Sequence, residues 1–329
     1  MSTGKFWKLF QAWDQAWFIP EPKFTVDDIP DLSGRVIIVT GGNTGIGKET
    51  VKVLLRKNAK VYMASRSRSK AEATIAELEK ETGKAAIFLE TDLSDLASVK
   101  KAAENFKSQE KELHILYNNA GVMIPDMKEL TKQGYDLQCG TNVLGHYYLT
   151  TLLLPILQAT GKSSPPGTVR VVTTSSSGSF MFPGPDIDYD TLRSGKARDN
   201  TGNQRLYFQS KLGDTIFAKE LARRYSSDGI VSISVNPGNI DSELQRTTPR
   251  FIVFLLRMFM LYPTPLGAIT QLYAGTAPEA AEHSGKFLIP WARVGEHSQA
   301  SSNPENGLRL WNWLEVQVKA WEDSITSSG

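Results

Sequence analysis

Residues 36–48 read Val36-Ile37-Ile38-Val39-Thr40-Gly41-Gly42-Asn43-Thr44-Gly45-Ile46-Gly47-Lys48. The β-branched run 36–40 predicts a buried strand, and the stretch 45–57 continues at helical spacing. Between them the glycines let the chain turn tightly and let backbone N–H groups approach an anion. The helix that follows directs its N-terminal dipole at the same place. The turn reads as a pyrophosphate cradle. Its Gly-x-x-x-Gly-x-Gly spacing differs from the Gly-x-Gly-x-x-Gly fingerprint, and Glu49 after Lys48 is not a P-loop ending. Taken alone the motif also allows a plain strand–helix turn.

Outward from this turn the chain repeats the same unit. Strands are expected at 60–64, 85–90, 113–117, 169–173 and 230–235, with a seventh at 287–289. Helices are expected at 70–82, 95–109, 135–157 and 204–225. Gly83 ends the first of these, and Ser94 or Asp95 caps the second. Alternation of this kind predicts a single-domain α/β fold, a doubly wound Rossmann-type parallel sheet with helices on both faces. Ligands of such sheets sit at the carboxyl ends of the strands. Residues 33–296 form this body, with an insert at 182–205 and a substrate segment at 240–265. An aromatic arm, 1–32, precedes it and a tail, 297–329, follows.

Composition narrows the function classes. Of 329 residues 40% are apolar and 22% charged, with a net charge of +2, so no global field favours nucleic acid. One cysteine, Cys139, fits a reducing compartment, and no Cys/His cluster suggests a metal. The N-terminus lacks a signal-peptide pattern. The most apolar stretch, 251–262, is interrupted by Arg257 and is shorter than the roughly 20 residues of a membrane span. An intracellular, cytoplasmic protein is expected, with peripheral contact to an internal membrane left open. Phe6, Phe10, Trp13 and Trp17 fall at helical spacing. They fit an interfacial helix, packing onto the body, or a second subunit of a homodimer. Trp311, Trp313 and Trp321 predict a docked amphipathic helix.

The residues after each strand carry the chemistry. The second strand ends in Ser65-Arg66-Ser67-Arg68, where an NAD site would place a carboxylate for the ribose. Arg66 can instead make a forked contact to a 2′-phosphate, so the cofactor is read as NADP(H). Two solvated surface arginines are the alternative. Asp92-Leu93 follows the third strand; Asp92 can accept from an adenine amino group or merely form the turn. Asn118-Asn119-Ala120-Gly121 follows the fourth, where small residues let a cofactor lie against the backbone and the asparagines can tie strand ends.

Tyr207 and Lys211 are four apart on one helix face. A phenol is a poor acid or base at neutral pH, and a neighbouring ammonium favours its phenolate. The pair suits proton exchange with a carbonyl or alcohol oxygen, and Lys211 can also reach ribose hydroxyls. Ser175, Ser176 and Ser177 follow the fifth strand and offer a hydroxyl to the substrate oxygen. Asn142, beside helix-disfavouring residues, frees a backbone carbonyl for a water or is a satisfied buried amide.

In this order the Thr40–Gly47 loop, Asp92, Asn118–Gly121, Asn142, the serine run, Tyr207–Lys211 and Asn236-Pro237-Gly238 resemble the short-chain dehydrogenase/reductases, from about Leu32 to Trp291. The resemblance implies a tetrad. Asn142 holds a proton-relay water, Ser176 orients the substrate oxygen, Tyr207 is the general acid/base, and Lys211 assists it and binds the nicotinamide ribose. It implies cofactor contacts from Gly41, Asn43, Thr44, Gly45, Ile46, Gly47, Ser65, Arg66, Asp92, Leu93, Asn119, Ala120, Gly121, Pro237, Gly238, Ile240 and Ser242. Ala64-Ser65-Arg66 and Asn142-Val143-Leu144-Gly145-His146 are similar to the retinol-dehydrogenase-like branch, and the arm resembles fungal members. The expected substrate is a small lipophilic carbonyl or alcohol. A non-catalytic NADP(H)-binding sensor or scaffold is the rival, and a chlorophyll-pathway reductase a third reading. Ser176 and Tyr207 stand 31 positions apart, which makes the insert between them an expected flap beside the substrate pocket.

Overall fold

The computed structural model describes residue 15, residues 19–241 and residues 261–327. The expected alternation is present: β1 (Val36–Thr40), α1 (Gly45–Arg56), β2 (Lys60–Ser65), α2 (Arg68–Thr82), β3 (Ile87–Glu90), α3 (Leu96–Gln109), β4 (Ile115–Asn118), α4 (His146–Ser163), β5 (Val169–Thr174), α5 (Asn203–Tyr225), β6 (Ile230–Val235), α6 (Thr264–Thr276), β7 (Phe287–Ile289), β8 (Arg293–Gly295) and α7 (Pro304–Thr326). The sheet order is β3-β2-β1-β4-β5-β6-β7-β8. Pairing is parallel from β3 to β7. The order reverses between β1 and β4, which opens a crevice at the carboxyl ends of those strands.

Strands β1, β5 and β6 are buried along their whole length, as a sheet covered on both faces requires. One apolar cluster lies under α3, α4 and α5, and a second under α1 and α6. The caps follow local chemistry. Asp95 accepts from the Ala97 amide at the start of α3, and Gly83 closes α2 in a left-handed conformation.

Three features depart from the sequence reading. β8 pairs antiparallel with β7, because three residues between them allow a hairpin but no crossover. α6 was not expected: most of its residues are buried, so no amphipathic stripe marks it. The predicted helix 135–157 begins at Leu137 under an Asp136 cap, continues as a π-helical stretch Gly140–Gly145, and ends at Ser163. Asn142 lies within this π segment.

The tail docks through α7, whose Leu310, Trp311, Leu314 and Val318 are buried. Trp311 packs against Tyr147 and Phe217, and Tyr148 donates to Glu322 at 2.7 Å. The insert also packs inward. Phe182, Ile187 and Leu192 are buried. Arg198 Nε donates to Asp136 at 3.0 Å, with both side chains inside. No helix among the described residues is long and apolar enough to cross a membrane. Phe6, Phe10, Trp13, Trp17, Ser242 and residues 251–260 lie outside the described residues.

Candidate active site

A cleft of about 810 Å³ runs along the carboxyl ends of the parallel strands. It is lined by Gly41, Asn43, Thr44, Gly45, Ile46 and Gly47 after β1, by Ser65 and Arg66 at the end of β2, and by Asp92 and Leu93 after β3. Asn119, Ala120 and Gly121 follow from β4, Ser175, Ser176 and Ser177 from β5, and Pro237, Gly238 and Ile240 from β6. Tyr207 and Lys211 reach it from α5. The residues expected to act together, spread from Gly41 to Ile240 in the chain, thus share one space.

The backbone makes the glycine turn tight. Gly41 and Gly45 take positive φ values of 66° and 53°. A Cβ on Gly47 would stand 2.2 Å from the Gly41 carbonyl oxygen. Thr40 anchors this turn to the end of β4. Its hydroxyl oxygen accepts from the amides of Asn119 and Ala120, both at 2.9 Å, and Asn119 Nδ2 donates to the Thr40 carbonyl at 2.7 Å. The asparagines do tie strand ends: Asn118 Nδ2 donates to Thr150 at 3.0 Å.

His146 extends this network. Its Nδ1 lies 2.8 Å from the Asn142 carbonyl and its Nε2 2.9 Å from Thr40 Oγ1. A carbonyl can only accept, so Nδ1 carries the proton and Nε2 receives the Thr40 hydroxyl. Burial pushes the imidazole down to about 4, which keeps it neutral. Thr40 and His146 were not singled out for a role in the sequence, because their partners come from other strands and helices.

At the adenosine end the two arginines separate. Arg68 is engaged by Glu72 and Glu90 and lies over the Phe88 ring. Arg66 is exposed on the cleft, as is Lys70, and neither forms an ion pair among the described residues. Lys70, one turn into α2, is a second cation the sequence reading missed. Ser65 Oγ is buried there without a partner among the described residues. Asp92 lines the cleft and also makes the turn, accepting from the Ser94 amide and hydroxyl at 3.0 and 2.6 Å.

The serine run resolves by direction. Ser175 is buried and spent: its hydroxyl bonds the Lys211 carbonyl at 2.7 Å and Thr215 at 2.9 Å. Ser176 is half-buried on the cleft, and its hydroxyl oxygen accepts from the Gly178 amide at 3.1 Å. Ser177 stands at the start of the short helix Gly178–Met181. Lys211 Nζ donates to the Thr174 carbonyl at 2.9 Å and to Asp214 at 2.8 Å.

Asn142 does not line the cleft; it sits one layer behind. Its Oδ1 accepts from the Val122 amide at 2.8 Å, and its Nδ2 donates to the Val122 carbonyl and to Ser210, both at 3.0 Å. The side chain is a satisfied buried amide that fixes the strand end carrying Gly121.

The cleft is also lined by apolar Val122, Met123, Leu137, Met181, Phe208 and Leu261, and the Phe208 ring lies 6.2 Å from that of Tyr207. The expected flap brings no side chain of residues 182–205 to this lining; Arg198 and the buried apolar residues hold it against the body instead. Ile124, next to this wall, takes φ 48°, unusual for a β-branched residue, and its amide donates to Gln138 at 2.9 Å. From the arm, Gln15 is buried and its Oε1 accepts from Asn236 Nδ2 at 2.9 Å. Asn236 in turn accepts from the Gly238 amide at 3.0 Å, so an arm residue braces the turn after β6.

Known proteins resemble this chain in sequence and fold. Residues 35–185 match the family model described as short chain dehydrogenase. A short-chain dehydrogenase/reductase of Armillaria gallica is 53% identical over 302 residues, covering 92% of this chain and 96% of its own. One from Phomopsis amygdali is 40% identical, covering 97% and 99%. Among solved structures, a 3-ketoacyl-(acyl-carrier-protein) reductase from Brucella melitensis complexed with NADH is 25% identical with a TM-score of 0.61, covering 78% of this chain and 96% of its own. The Pseudomonas aeruginosa RhlG/NADP complex, 22% identical with a TM-score of 0.62 over 79% and 95%, shares the fold. With this sheet order, this cleft and relatives matching nearly end to end, the chain belongs to the short-chain dehydrogenase/reductase family.

Proposed function

We propose that the protein is an NADP(H)-dependent oxidoreductase that interconverts a lipophilic or aromatic carbonyl and its alcohol. The observation that carries this reading is the meeting of Tyr207, Lys211 and Ser176 in the cleft that also holds the glycine turn. The residues present fit a dinucleotide: the Gly41–Gly47 turn has no room for a side chain at Gly47, and cationic Arg66 and Lys70 stand at the far end. Gly41, Asn43, Thr44, Gly45, Ile46 and Gly47 would hold the pyrophosphate. Ser65 and Arg66, with Lys70, would take the 2′-phosphate, and Asp92 and Leu93 the adenine. Asn119, Ala120 and Gly121 would lie along the dinucleotide, and Pro237, Gly238 and Ile240 beside its nicotinamide, with Ser242 next in sequence. The bound nicotinamide supplies or accepts the hydride.

The chain's own groups handle the oxygen and its proton. Ser176 donates to the substrate oxygen as charge grows there. The Tyr207 hydroxyl gives its proton to that oxygen in reduction and takes it back in oxidation. The Lys211 ammonium stabilises the phenolate left behind. The Asn142 carbonyl, which already accepts from His146 Nδ1 at 2.8 Å, would be the anchor of a relay water. The apolar wall from Val122 to Leu261 selects a lipophilic substrate by excluding water from its body.

Purified protein is mixed with NADPH or NADH and a panel of retinal, steroid ketones, aromatic aldehydes and quinones, and cofactor absorbance is followed. Turnover with NADPH that is at least about a hundredfold lower in Tyr207→Phe supports the proposal. Equal turnover with NADH removes the NADP assignment. Tight NADPH binding with no turnover across the panel favours the non-catalytic sensor.

A further inference from the structure

Asp214 lies one helical turn beyond Lys211 on α5, and both side chains are buried. Lys211 Nζ donates to Asp214 Oδ2 at 2.8 Å and to the Thr174 carbonyl, at the end of β5, at 2.9 Å. The other carboxylate oxygen, Oδ1, is buried and accepts no hydrogen bond among the described residues. An ammonium has three donors, so one N–H of Lys211 remains, and the residue lines the cleft beside Tyr207. A Cβ on Gly121 would stand 3.8 Å from Nζ and 3.4 Å from Asn142 Oδ1, so these groups converge on one point of the wall.

A fully buried ion pair is a poor stabilising device, because desolvation offsets most of the attraction. This one also leaves half of the carboxylate unused. Its charge matters more than its bonding. Burial pulls Lys211 towards losing its proton, and the Asp214 carboxylate, with a smaller contribution from Tyr207, outweighs this, so the ammonium is held above its ordinary range. In the other direction, burial pushes the Asp214 carboxyl up to about 6, against the pull of Lys211. Other titratable groups face the pair from each neighbouring element. Tyr207 acts on Lys211 from α5, His146 from α4, and the Cys139 thiol faces Asp214 from the turn ahead of α4.

We propose that Asp214 is a positioning residue: it keeps Lys211 charged and turned so that its remaining N–H serves the cleft. The inference rests on the reading above, in which Lys211 assists Tyr207 and the cofactor. It adds a fifth residue whose role is to hold one of the four in its working state.

Asp214→Asn keeps the shape and an acceptor oxygen while removing the charge. In the wild type, NADPH affinity should change less than about twofold between pH 7 and 9. In Asp214→Asn it falls at least about tenfold over that range as Lys211 loses its proton, and the alkaline limb of kcat/KM moves down by at least about one pH unit. Identical pH dependence in both proteins overturns the proposal, whatever the variant's stability. A second measurement needs neither cofactor nor turnover. Carboxyl ¹³C NMR of the full chain should show Asp214 titrating near pH 6, and in Lys211→Met the midpoint should rise by at least about one unit. A midpoint unmoved by Lys211→Met also overturns it. If the wild type binds no nicotinamide dinucleotide, the NMR titration still decides the pair, and the functional reading alone fails.

Discussion

Replacing Gly47 by alanine tests the cradle most directly. Gly47 is in the first turn of α1, where alanine would ordinarily gain about 1 kcal/mol over glycine. Here the added Cβ would meet the Gly41 carbonyl oxygen at 2.2 Å and Asn119 Nδ2 at 2.6 Å. The first contact is about 1 Å inside ordinary van der Waals distance, against backbone that cannot rotate away. Overpacking of this kind costs about 1–3 kcal/mol, and pushing Asn119 from the Thr40 carbonyl costs about 1 kcal/mol more. The clash therefore outweighs the helix gain, and Gly47→Ala should lose about 2 kcal/mol of stability. Moving the Gly41 carbonyl also turns the amides that face the cleft, so NADPH affinity should fall about a hundredfold, about 2.7 kcal/mol. Denaturant unfolding and fluorescence titration read the two effects. Gly83→Ala is the control. That residue has φ 73° but no atom within 4 Å of an added Cβ, so it should cost about 1 kcal/mol of strain and leave cofactor binding unchanged. If Gly47→Ala binds NADPH like the wild type and unfolds like the control, the steric account of the cradle is wrong.

The remaining expectations follow from single contacts. Ser176→Ala should lower kcat by about a hundredfold with cofactor affinity intact. Ser175→Ala, which removes bonds to Lys211 and Thr215, should mainly cost about 1 kcal/mol of stability; full activity in Ser176→Ala would refute the assignment. Gln15→Leu strands the buried Asn236 amide, so unfolding should become about 1–2 kcal/mol easier and cofactor binding weaker; an unchanged protein would mean the arm does not brace this turn. Because His146 titrates near 4 when folded and near 6.5 when unfolded, the unfolded chain binds the extra proton first. Its contribution is present above pH 6.5 and is lost as pH falls towards 4, by at most about 3 kcal/mol. Asp214, raised to about 6, runs the other way, its contribution being present below about 4 and lost as pH rises through 6. The stability difference between wild type and His146→Gln should therefore shrink on acidification; a difference constant from pH 7 to 4 would show that His146 is not neutral and buried.

Much of this architecture is legible in the chain because its signals are local. A strand of Val and Ile, a glycine turn and a helix lie within about 20 residues, and five repetitions of strand followed by helix imply the sheet and the end at which a ligand binds. Tyr207 and Lys211 were legible for the same reason, one helical turn apart. α6 was hidden because a helix buried on most sides has no polar face to mark its period, and β8 because Arg293-Val294-Gly295, unlike the apolar β7, is a short strand with no apolar run. What depends on distant partners needed the folded molecule. Arg66 and Arg68 look alike in sequence, and only the positions of Glu72, Glu90 and Phe88 decide that Arg68 is occupied while Arg66 faces the cleft. Three consecutive serines are equivalent until the pleat turns Ser175 inward and leaves Ser176 at the cleft wall. Thr40, His146, Gln15 and Asp214 take their roles from groups brought up by other elements or buried with them. Burial, and the charge state it sets, is a property of the whole packing, which no short window of residues contains.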